Sequence, residues 1–209
     1  MSFIVFEGID GAGKSSLMKT LKTVLSQKNI SFIETREPGG TPLAEELREL
    51  IIQVRSDSPT PRAELLMYAA ARAQHVDKLI QPKLDEGQWV ISDRFTGSTC
   101  AFQKGGRNLS ESDIQWLNSY ATNGLKPDLN ILLDLSVEES ENRRKKRVEE
   151  TGVEQDRFEQ EQKDFHQRVR DAYLNLAKVE SNWLVLNASL SQEKLAEEMI
   201  SQLERRGIL

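Results

Sequence analysis

Cysteine is nearly absent from this chain, because Cys100 is the only one among its 209 residues. A single cysteine excludes an internal disulfide and a zinc site built from cysteines, and it suits a reducing compartment. Positive charge is also in short supply. The formal net charge is −5, so the protein as a whole does not attract nucleic acid, and any anion site has to be local.

Long hydrophobic runs are missing as well. No stretch approaches the roughly 20 apolar residues of a transmembrane helix. The apolar stretch at the N-terminus follows no basic region and is too short for a signal peptide. We therefore expect a cytoplasmic protein with no membrane partner.

Repeats and interdomain linkers are also lacking, which favours a single domain over residues 1–209.

The sequence does contain a glycine-rich loop, GIDGAGKS, at residues 8–15. It matches the phosphate-binding pattern G-x-x-x-x-G-K-[ST] and lies between a strand-like run and a helical pattern. The glycines let backbone N–H groups converge on one anion, at a helix N-terminus that favours negative charge. Lys14 would reach the β- and γ-phosphates, and the Ser15 hydroxyl would ligate Mg²⁺. The residues expected to bind ATP are Gly8, Ile9, Asp10, Gly11, Ala12, Gly13, Lys14, Ser15 and Ser16.

Five strand-like runs alternate with helical patterns along the chain. They lie at residues 3–6, 31–34, 89–92, 130–135 and 183–187. This alternation predicts an α/β fold with a parallel sheet, right-handed crossovers and helices on both faces. Ligands of such sheets bind at the carboxyl ends of the strands, which directs attention to the residues that follow each strand.

Several helix ends are readable in the sequence. Thr41-Pro42 predicts a helix start, Gly124 is expected at a helix C-terminus, and the last helix is expected to run from about Ser191 to Arg206. Pro82 is expected to kink or end the long helix that follows Pro61. One apolar stripe is predicted after Pro42, made of Leu43, Leu47, Leu50, Ile51 and Val54.

Charged side chains follow two of the strands. Arg36 follows the second run and Arg48 lies in the next helix. Each of these arginines either holds an anionic substrate group as a bidentate fork or pairs with nearby glutamates.

Asp93 and Arg94 follow the third run. A carboxylate there, in a protein with a phosphate loop, is typical of the acid associated with Mg²⁺; the alternative is a structural Asp–Arg pair.

Two weaker signals lie on helical patterns. Tyr68 and Arg72 are four residues apart, so they either stack on a base and bond its edge or simply pack within the helix. The basic run RRKKR at 143–147 precedes an acidic segment. It is interpreted as a mobile lid that brings arginines to phosphates, as a nucleic-acid patch, or as a solvated charged helix. The missing aromatics disfavour the nucleic-acid patch.

Six segments, in order, resemble the thymidylate kinase family: FEGIDGAGKSS, TREPGGTPLAEELR, ELLMYAAARAQHVDKLIQP, VISDRFTGSTCAFQKGGR, NGLKPDLNILLDL and DRFEQE. The resemblance covers nearly the whole chain. It implies a P-loop NTPase fold of the nucleoside monophosphate kinase type, with five parallel strands and a lid at approximately residues 140–160. It also implies phosphoryl transfer from ATP to dTMP with Mg²⁺, no nucleic-acid partner, and a homodimer in which the Ala-rich face of LLMYAAARA is a contact.

The same resemblance implies roles for individual residues. Those expected to bind dTMP are Arg36, Arg48, Tyr68, Arg72, Arg94, Thr99 and Gln103. Those expected in catalysis are Lys14, Asp10, Asp93, Arg94, Arg143 and Arg147, with Ser15 and Asp93 at the metal. The phosphate loop has no arginine between its glycines, so the chain resembles the bacterial-like branch whose lid supplies the catalytic arginine. Arg157 is a further candidate for that role.

The chain departs from the family pattern at two places. Phe102 stands where tyrosine is more usual, and Gly97 stands where many relatives carry aspartate.

Three other functions compete with that of a thymidylate kinase. They are a kinase for another nucleotide on the same fold, a nucleotide-dependent switch, and a nucleic-acid binder with salt-sensitive affinity. A switch is disfavoured because the sequence has no Asn-Lys-x-Asp guanine reader and no extra lysine at Ile9-Asp10.

Overall fold

A computed structural model describes the chain from residue 1 to residue 209. Five parallel strands form one sheet in the order β2-β3-β1-β4-β5. The predicted α/β fold with a five-stranded parallel sheet is therefore confirmed. The strands are β1 (Phe3–Glu7), β2 (Phe32–Arg36), β3 (Trp89–Asp93), β4 (Leu129–Asp134) and β5 (Trp183–Asn187).

Helices connect the strands. Two of them include a π-helical turn: Val76–Ile80 joins α3 to α4, and Cys100–Gly106 continues α5. None of the helices is both long enough and apolar enough to span a membrane. The helices are α1 (Lys14–Gln27), α2 (Pro42–Ile52), α3 (Pro61–His75), α4 (Gln81–Asp85), α5 (Thr96–Thr99), α6 (Glu111–Thr122), α7 (Val137–Thr151), α8 (Lys163–Val179) and α9 (Gln192–Arg205).

The core lies on both faces of the sheet. Every residue of β1 is buried, as expected for a central parallel strand covered by helices on each side. Ile4 and Phe6 belong to the larger apolar cluster, with residues of α1, α8 and α9. Phe3 and Val5 belong to a smaller cluster with residues of the π-helical turn at Val76–Ile80 and of α4. The rigid sheet thus holds the loops at its carboxyl edge in fixed positions.

Most predicted element ends lie within one or two residues of the observed ones. Thr41 caps α2 through the Ala44 N–H, and Ser191 caps α9. The second strand ends at Arg36 instead of Glu34. Asn123, with a φ of 49°, takes the C-cap position of α6 that was expected for Gly124. Pro82 lies in the first turn of α4, after the π-helical turn.

The predicted single apolar stripe on α2 is wrong. Ile51 is fully buried, whereas Leu43 is 48% exposed and Leu50 is 45% exposed. Val54 lies beyond the end of the helix and is also exposed. The helix turns Ala44 and Ile51 towards the core, Leu47 is half-buried, and Leu43 and Leu50 form part of an outward-facing apolar surface.

The basic run RRKKR lies inside α7, not in a mobile loop between two helices. Arg144, the second residue of the run, is buried and donates to the Glu159 carbonyl oxygen at 2.9 Å. Lys145 and Lys146 point outward and form ion pairs within the helix, with Glu141 and Glu150. The run is thus a helix with one buried and several solvated charges, followed by the segment at 152–162.

Candidate active site

The glycine-rich loop follows β1 and curves around open space. Gly8 has a φ of +135°, and a Cβ there would lie 2.6 Å from the Leu133 carbonyl oxygen. Gly13 has a φ of +95°, and a Cβ there would have no neighbour within 4 Å. Glycine is therefore required at the first position by the adjacent strand and at the second by backbone conformation. The space beside Gly13 is available to an anionic ligand.

Lys14 lies beneath this loop. Its side chain is 7% exposed, and Nζ donates to the Gly8 carbonyl oxygen at 3.1 Å. Nζ is also 3.9 Å from Asp10 Oδ1 and 3.9 Å from Asp93 Oδ1. Burial, followed by the nearby Arg94 guanidinium, lowers the pKa of Lys14 from its ordinary value. The ammonium is therefore held at a point where carboxylates of two loops converge.

Asp93 ends β3 next to this lysine. Its Oδ1 is buried without a hydrogen-bond partner in the protein. No three or more His, Cys, Asp or Glu side chains are arranged so that they alone could hold a metal ion. Mg²⁺ does not need such a cluster, because it binds through one or two protein oxygens together with phosphates and water. The free Asp93 oxygen, with the exposed Ser15 hydroxyl across the loop, fits that ion.

Arg94 crosses from β3 to the phosphate loop. Its φ of +75° is unusual for a residue other than glycine. Nη2 donates to Asp10 Oδ1 at 2.6 Å, and Nη1 donates to the Gly8 carbonyl oxygen at 2.9 Å. Nη1 also lies 3.2 Å from the Ser98 and Tyr173 hydroxyls. Backbone strain of this kind at a charged residue is characteristic of functional sites.

The charge states of Asp10 and Arg94 follow from their ion pair with each other. Burial would raise the pKa of Asp10, but the Arg94 guanidinium and the Lys14 ammonium lower it well below the ordinary range. Burial disfavours the Arg94 cation, whereas Asp10 and other acidic neighbours raise its pKa well above the ordinary value. Both groups stay charged at neutral pH. The Asp10–Arg94 pair therefore presents fixed charges at that pH.

A cavity opens beside Arg94, on the side of α3. We call it the Tyr68 cavity. It combines aromatic rings with charged and amide groups, which is typical of small-molecule sites. Its lining residues are Asp10, Glu37, Pro38, Arg48, Ile52, Tyr68, Arg72, Arg94, Phe95, Ser98, Thr99, Phe102, Gln103, Asp156 and Phe158.

Arg72 in the Tyr68 cavity is 2% exposed and held from four sides. Its Nε donates to Glu37 Oε2 at 2.7 Å. Nη1 donates to Thr99 Oγ1 and Asn118 Oδ1, at 2.9 Å and 2.8 Å. Nη2 donates to the Phe95 carbonyl oxygen at 3.0 Å, which leaves one of its five N–H donors for a ligand.

Gln103 forms another part of the same wall and is 1% exposed. Its Nε2 donates to Glu64 Oε1 at 2.9 Å. Tyr68 lies across the cavity, with its ring 6.2 Å from that of Phe158. Burial, followed by the Glu64 carboxylate, raises the pKa of the Tyr68 phenol. The cavity therefore offers the Tyr68 ring, the Gln103 amide and the Arg72 guanidinium to a planar ligand.

Of the two arginines after β2, the structure brings one to the Tyr68 cavity. Arg48 lines it and donates to the Pro38 carbonyl oxygen at 3.2 Å. Burial, followed by repulsion from Arg36, lowers the pKa of Arg48. Arg36 is 51% exposed, pairs with Glu45 at 2.7 Å and does not line the cavity. Its placement corresponds to the surface ion pair considered as the alternative in the sequence analysis.

A second cavity lies on the other side of the phosphate loop. We call it the Gly13 cavity. It extends from the loop and α1 to the turn that follows β5. The sequence analysis missed this turn, although the rule that ligands bind at carboxyl ends of strands applies to β5 as well. The lining residues are Gly11, Ala12, Gly13, Ser16, Leu17, Thr20, Arg143, Ala188, Leu190, Ser191, Gln192 and Leu195.

The predicted lid arginines point to different places. Arg143 lines the Gly13 cavity and donates to the carbonyl oxygens of Gly11 and Ala188, at 3.3 Å and 3.0 Å. Arg147, one turn later, is 41% exposed and pairs with Glu159 at 2.7 Å. Arg143 therefore borders the loop and the β5 turn, while Arg147 is tied to the segment that follows α7.

The segment at 152–162 is docked over the Tyr68 cavity. Arg157 donates from Nη2 to Glu64 Oε2 at 2.7 Å and from Nε to the Ile51 carbonyl oxygen at 2.9 Å. Phe158 is buried and lines the cavity. The segment thus closes the cavity from above and is anchored to α2 and α3 by a single arginine.

The sequence of this chain is similar to those of known proteins over nearly its whole length. A family model described as thymidylate kinase matches residues 6–200. The chain belongs to the thymidylate kinase family. A thymidylate kinase of Bdellovibrio bacteriovorus is 50% identical over 210 residues, which cover 100% of this chain and 98% of that protein. Another, of Geotalea daltonii, is 47% identical over 180 residues, or 85% and 84% of the two chains. One of Lactobacillus acidophilus is 38% identical over 206 residues, or 98% and 94%.

Membership of the thymidylate kinase family confirms the resemblance read from the six segments. It also confirms the interpretation of the chain as a P-loop kinase.

The two departures from the family pattern have local explanations. A Cβ at Gly97 would lie 2.8 Å from the Glu7 carboxylate and 2.8 Å from the Trp183 ring. Phe102 packs edge-on against Phe158 and stacks with Arg94, whose Cζ is 5.1 Å from the ring centroid, so it needs no hydroxyl.

Proposed function

We propose that this thymidylate kinase family member transfers the γ-phosphoryl group of ATP to the phosphate of dTMP, and that ADP and dTDP are the products. The observation that carries the proposal is the pair of cavities on either side of the Lys14, Asp93 and Arg94 cluster. One cavity borders the phosphate loop, and the other has the aromatic ring and the amide edge that a pyrimidine base requires.

ATP binds in the Gly13 cavity in this proposal. Its phosphates lie along the loop at 8–15, where backbone N–H groups and Lys14 balance their charge. Arg143 and the turn after β5 border the space left for the adenine ring. A bound Mg²⁺ would supply positive charge that helps neutralise the phosphates during the transfer. Ser15 and Asp93 would hold the ion, and the unpartnered Asp93 Oδ1 supports this assignment.

dTMP binds in the Tyr68 cavity, with its base beside Tyr68 and its phosphate towards Arg94 and Arg48. Thymine presents an acceptor at O4 and a donor at N3–H. The free N–H of Arg72 suits O4, and the oxygen of the Gln103 amide suits N3–H. Thr99 contributes indirectly in this geometry, because its hydroxyl accepts a bond from Arg72.

The transfer itself needs little proton chemistry. An anionic oxygen of dTMP attacks the γ-phosphorus in line, and the bond from that phosphorus to the β–γ bridging oxygen breaks. The acceptor oxygen is already ionised, so no general base is needed. Catalysis comes from alignment and from cations placed around the moving group. Lys14, Arg94 and Arg147 are proposed as these cations, with Arg157 holding the segment that excludes water.

The protein is further proposed to be a cytoplasmic, single-domain enzyme that acts as a homodimer. An outward apolar surface extends over α2, α3 and α6, where Leu50, Leu66, Trp116 and Tyr120 are 45%, 56%, 65% and 76% exposed. Trp116 and Tyr120 stack with ring centroids 5.6 Å apart. An exposed apolar surface of this kind marks an association site. Within LLMYAAARA, Leu66 and Ala70 reach this surface, whereas Ala69 and Ala71 are buried.

An ADP-release assay with ATP and Mg²⁺ tests the proposal. dTMP, dUMP, dCMP, UMP and CMP are offered separately. We expect strong turnover with dTMP, weaker turnover with dUMP and little with the cytosine nucleotides, because Arg72 and Gln103 mismatch the cytosine edge. Preference for another acceptor would refute the assignment of the Tyr68 cavity. Turnover with none of them, while ATP still binds, would favour the switch considered in the sequence analysis.

A further inference from the structure

Glu64 is a buried carboxylate behind the wall of the Tyr68 cavity, and it does not line the cavity itself. Three side chains donate to it. Gln103 Nε2 is 2.9 Å from Oε1, Arg107 Nε is 3.2 Å from Oε1, and Arg157 Nη2 is 2.7 Å from Oε2. The carboxylate thus connects the amide of the cavity wall to the arginine of the segment that covers it.

A carboxylate faced by two guanidinium groups can only accept hydrogen bonds. Of the two ends of the Gln103 amide, only the NH₂ group can therefore face Glu64. The amide oxygen is then turned to the other side, because the only side-chain hydrogen bond of Gln103 is the one that Nε2 donates to Glu64. The orientation of this amide follows from the chemistry of its partner.

The orientation of the amide decides which base edge is matched. Thymine has a donor at N3–H, whereas the neutral cytosine ring has an acceptor at N3. An inward amide oxygen pairs with the first and repels the second. We propose that Glu64 is a specificity-determining positioning residue: it holds the Gln103 oxygen towards the base and so selects thymine over cytosine. This inference rests on the proposed function.

Glu64→Gln tests the inference because glutamine can donate as well as accept. Its NH₂ group can bond the Gln103 oxygen, which lets the Gln103 amide turn its own NH₂ group to the base. The readout is the ratio of kcat/KM for dTMP to kcat/KM for 5-methyl-dCMP, two substrates that share the ring methyl group. We expect the ratio to fall between about 10-fold and 100-fold, the effect of one mismatched buried hydrogen bond.

Glu161→Gln is the matched control. Glu161 accepts from Arg107 Nη1 but does not contact Gln103. Its substitution disturbs the same arginine and leaves the Gln103 amide unaffected, so the ratio should stay at the wild-type value. A fall in Glu161→Gln equal to that in Glu64→Gln would overturn the inference, because the effect would then pass through Arg107.

A double variant separates orientation from general loosening of the cavity. In a Gln103→Leu background no amide is left to turn. Adding Glu64→Gln should then change the substrate ratio by less than about 2-fold, since both changes act on one interaction. A further large fall in the ratio would show that Glu64 acts by another route, and the inference would be wrong.

A measurement on the wild-type protein covers the case in which Glu64→Gln does not fold. The Gln103 side-chain NH₂ signals, identified by their loss in Gln103→Leu, should exchange slowly with solvent before any nucleotide is added. Fast exchange that slows only with dTMP would contradict the inference. Failure of the proposed function has a different signature, because the wild-type protein would then not turn over dTMP at all.

Discussion

The residues around Lys14 show how a few buried charges can be arranged for phosphates. Arg94 pairs with Asp10 at 2.6 Å, and Lys14 lies 3.9 Å from both Asp10 and Asp93. The chain as a whole is negative, with a formal net charge of −5. Lys14 and Arg94 therefore place positive charge at one edge of the sheet, where each lies beside a carboxylate.

Asp10→Asn should reduce the free energy of unfolding at pH 7 by on the order of 1–2 kcal/mol, measured by urea denaturation. The Arg94 and Lys14 cations lower the pKa of Asp10 below its ordinary value of 3.8. A depressed carboxyl pKa stabilises the fold above that ordinary value, and this contribution is lost as the pH falls towards the folded-state value. The difference between wild type and variant should therefore shrink progressively below about pH 4.

The exposed Asp57 provides the control for Asp10. Asp57→Asn should leave the free energy of unfolding within about 0.5 kcal/mol of wild type at every pH. A wild-type advantage over Asp10→Asn that is equally large at pH 7 and pH 3 would contradict the electrostatic account of this cluster.

Arg72→Lys should raise the KM for dTMP by about 10-fold or more and leave the KM for ATP unchanged. Arg72 uses a planar fork to reach Glu37, Thr99, Asn118 and the Phe95 carbonyl oxygen. An ammonium group cannot hold that set and still present a donor to the base. Steady-state kinetics with each substrate varied separately measures the effect.

Arg62→Lys is the matched control for Arg72→Lys, because Arg62 lies on the same helix but faces solvent. It should leave both KM values at wild-type levels. An equal rise of both KM values in Arg72→Lys would indicate general damage to the fold instead of a role in the Tyr68 cavity.

At the scale of elements, Arg157 ties the segment at 152–162 to α2 and α3. Arg157→Met should release this segment from Glu64 and Ile51, because both contacts come from the guanidinium. We expect faster amide hydrogen exchange over 152–162 and a fall of about 10-fold in kcat/KM for dTMP, since the cavity loses its cover.

Lys163→Met is the control for Arg157→Met. Lys163 begins α8 directly after the segment, is 69% exposed and pairs only with Glu141. It should leave amide exchange over 152–162 unchanged. Equal exchange in Arg157→Met and wild type would show that other contacts hold the segment in place.

The elements that could be predicted from the sequence are those whose local signal agrees with their burial. The phosphate loop matches a pattern whose glycines have a backbone reason, and β1 is apolar because it is buried on both faces. The stripe on α2 was misjudged because periodicity alone does not separate a core-facing leucine from one on an outward apolar surface. Leu43 and Leu50 belong to the second kind.

The candidate site was less accessible to sequence reasoning than the fold. Glu64 accepts a hydrogen bond from Gln103, and Glu37 accepts one from Arg72. The two residues of each pair are more than thirty positions apart in the sequence. No local pattern encodes such pairs. The place of Arg143 could not be read either, because its direction depends on how α7 packs beside the turn after β5. The family resemblance indicates Arg72, Gln103 and Arg143 as site residues, whereas only the structure shows which side chains they contact.

At the scale of the whole molecule, Trp116→Glu should convert the proposed homodimer into a monomer. Trp116 is 65% exposed and stacks with Tyr120 on the apolar surface shared by α2, α3 and α6. A charge at its centre would be buried on association without a partner, which is strongly unfavourable. Light scattering coupled to gel filtration measures the mass of the particle.

Val179 provides the control for this surface. It is 84% exposed, lies at the end of α8 and belongs to no part of the apolar surface on α2, α3 and α6. Val179→Glu should keep the mass of the wild type. A wild-type mass corresponding to one 23.8 kDa chain would contradict the proposed dimer.

The most direct test of the central claim follows the γ-phosphoryl group itself. ATP labelled with ³²P at the γ-position is mixed with the protein, Mg²⁺ and dTMP, and the products are separated. The account predicts that the label appears in dTDP, with one ADP formed for each dTDP. Label released as inorganic phosphate at a rate that does not depend on dTMP would contradict it, because the two cavities would then not serve one transfer reaction.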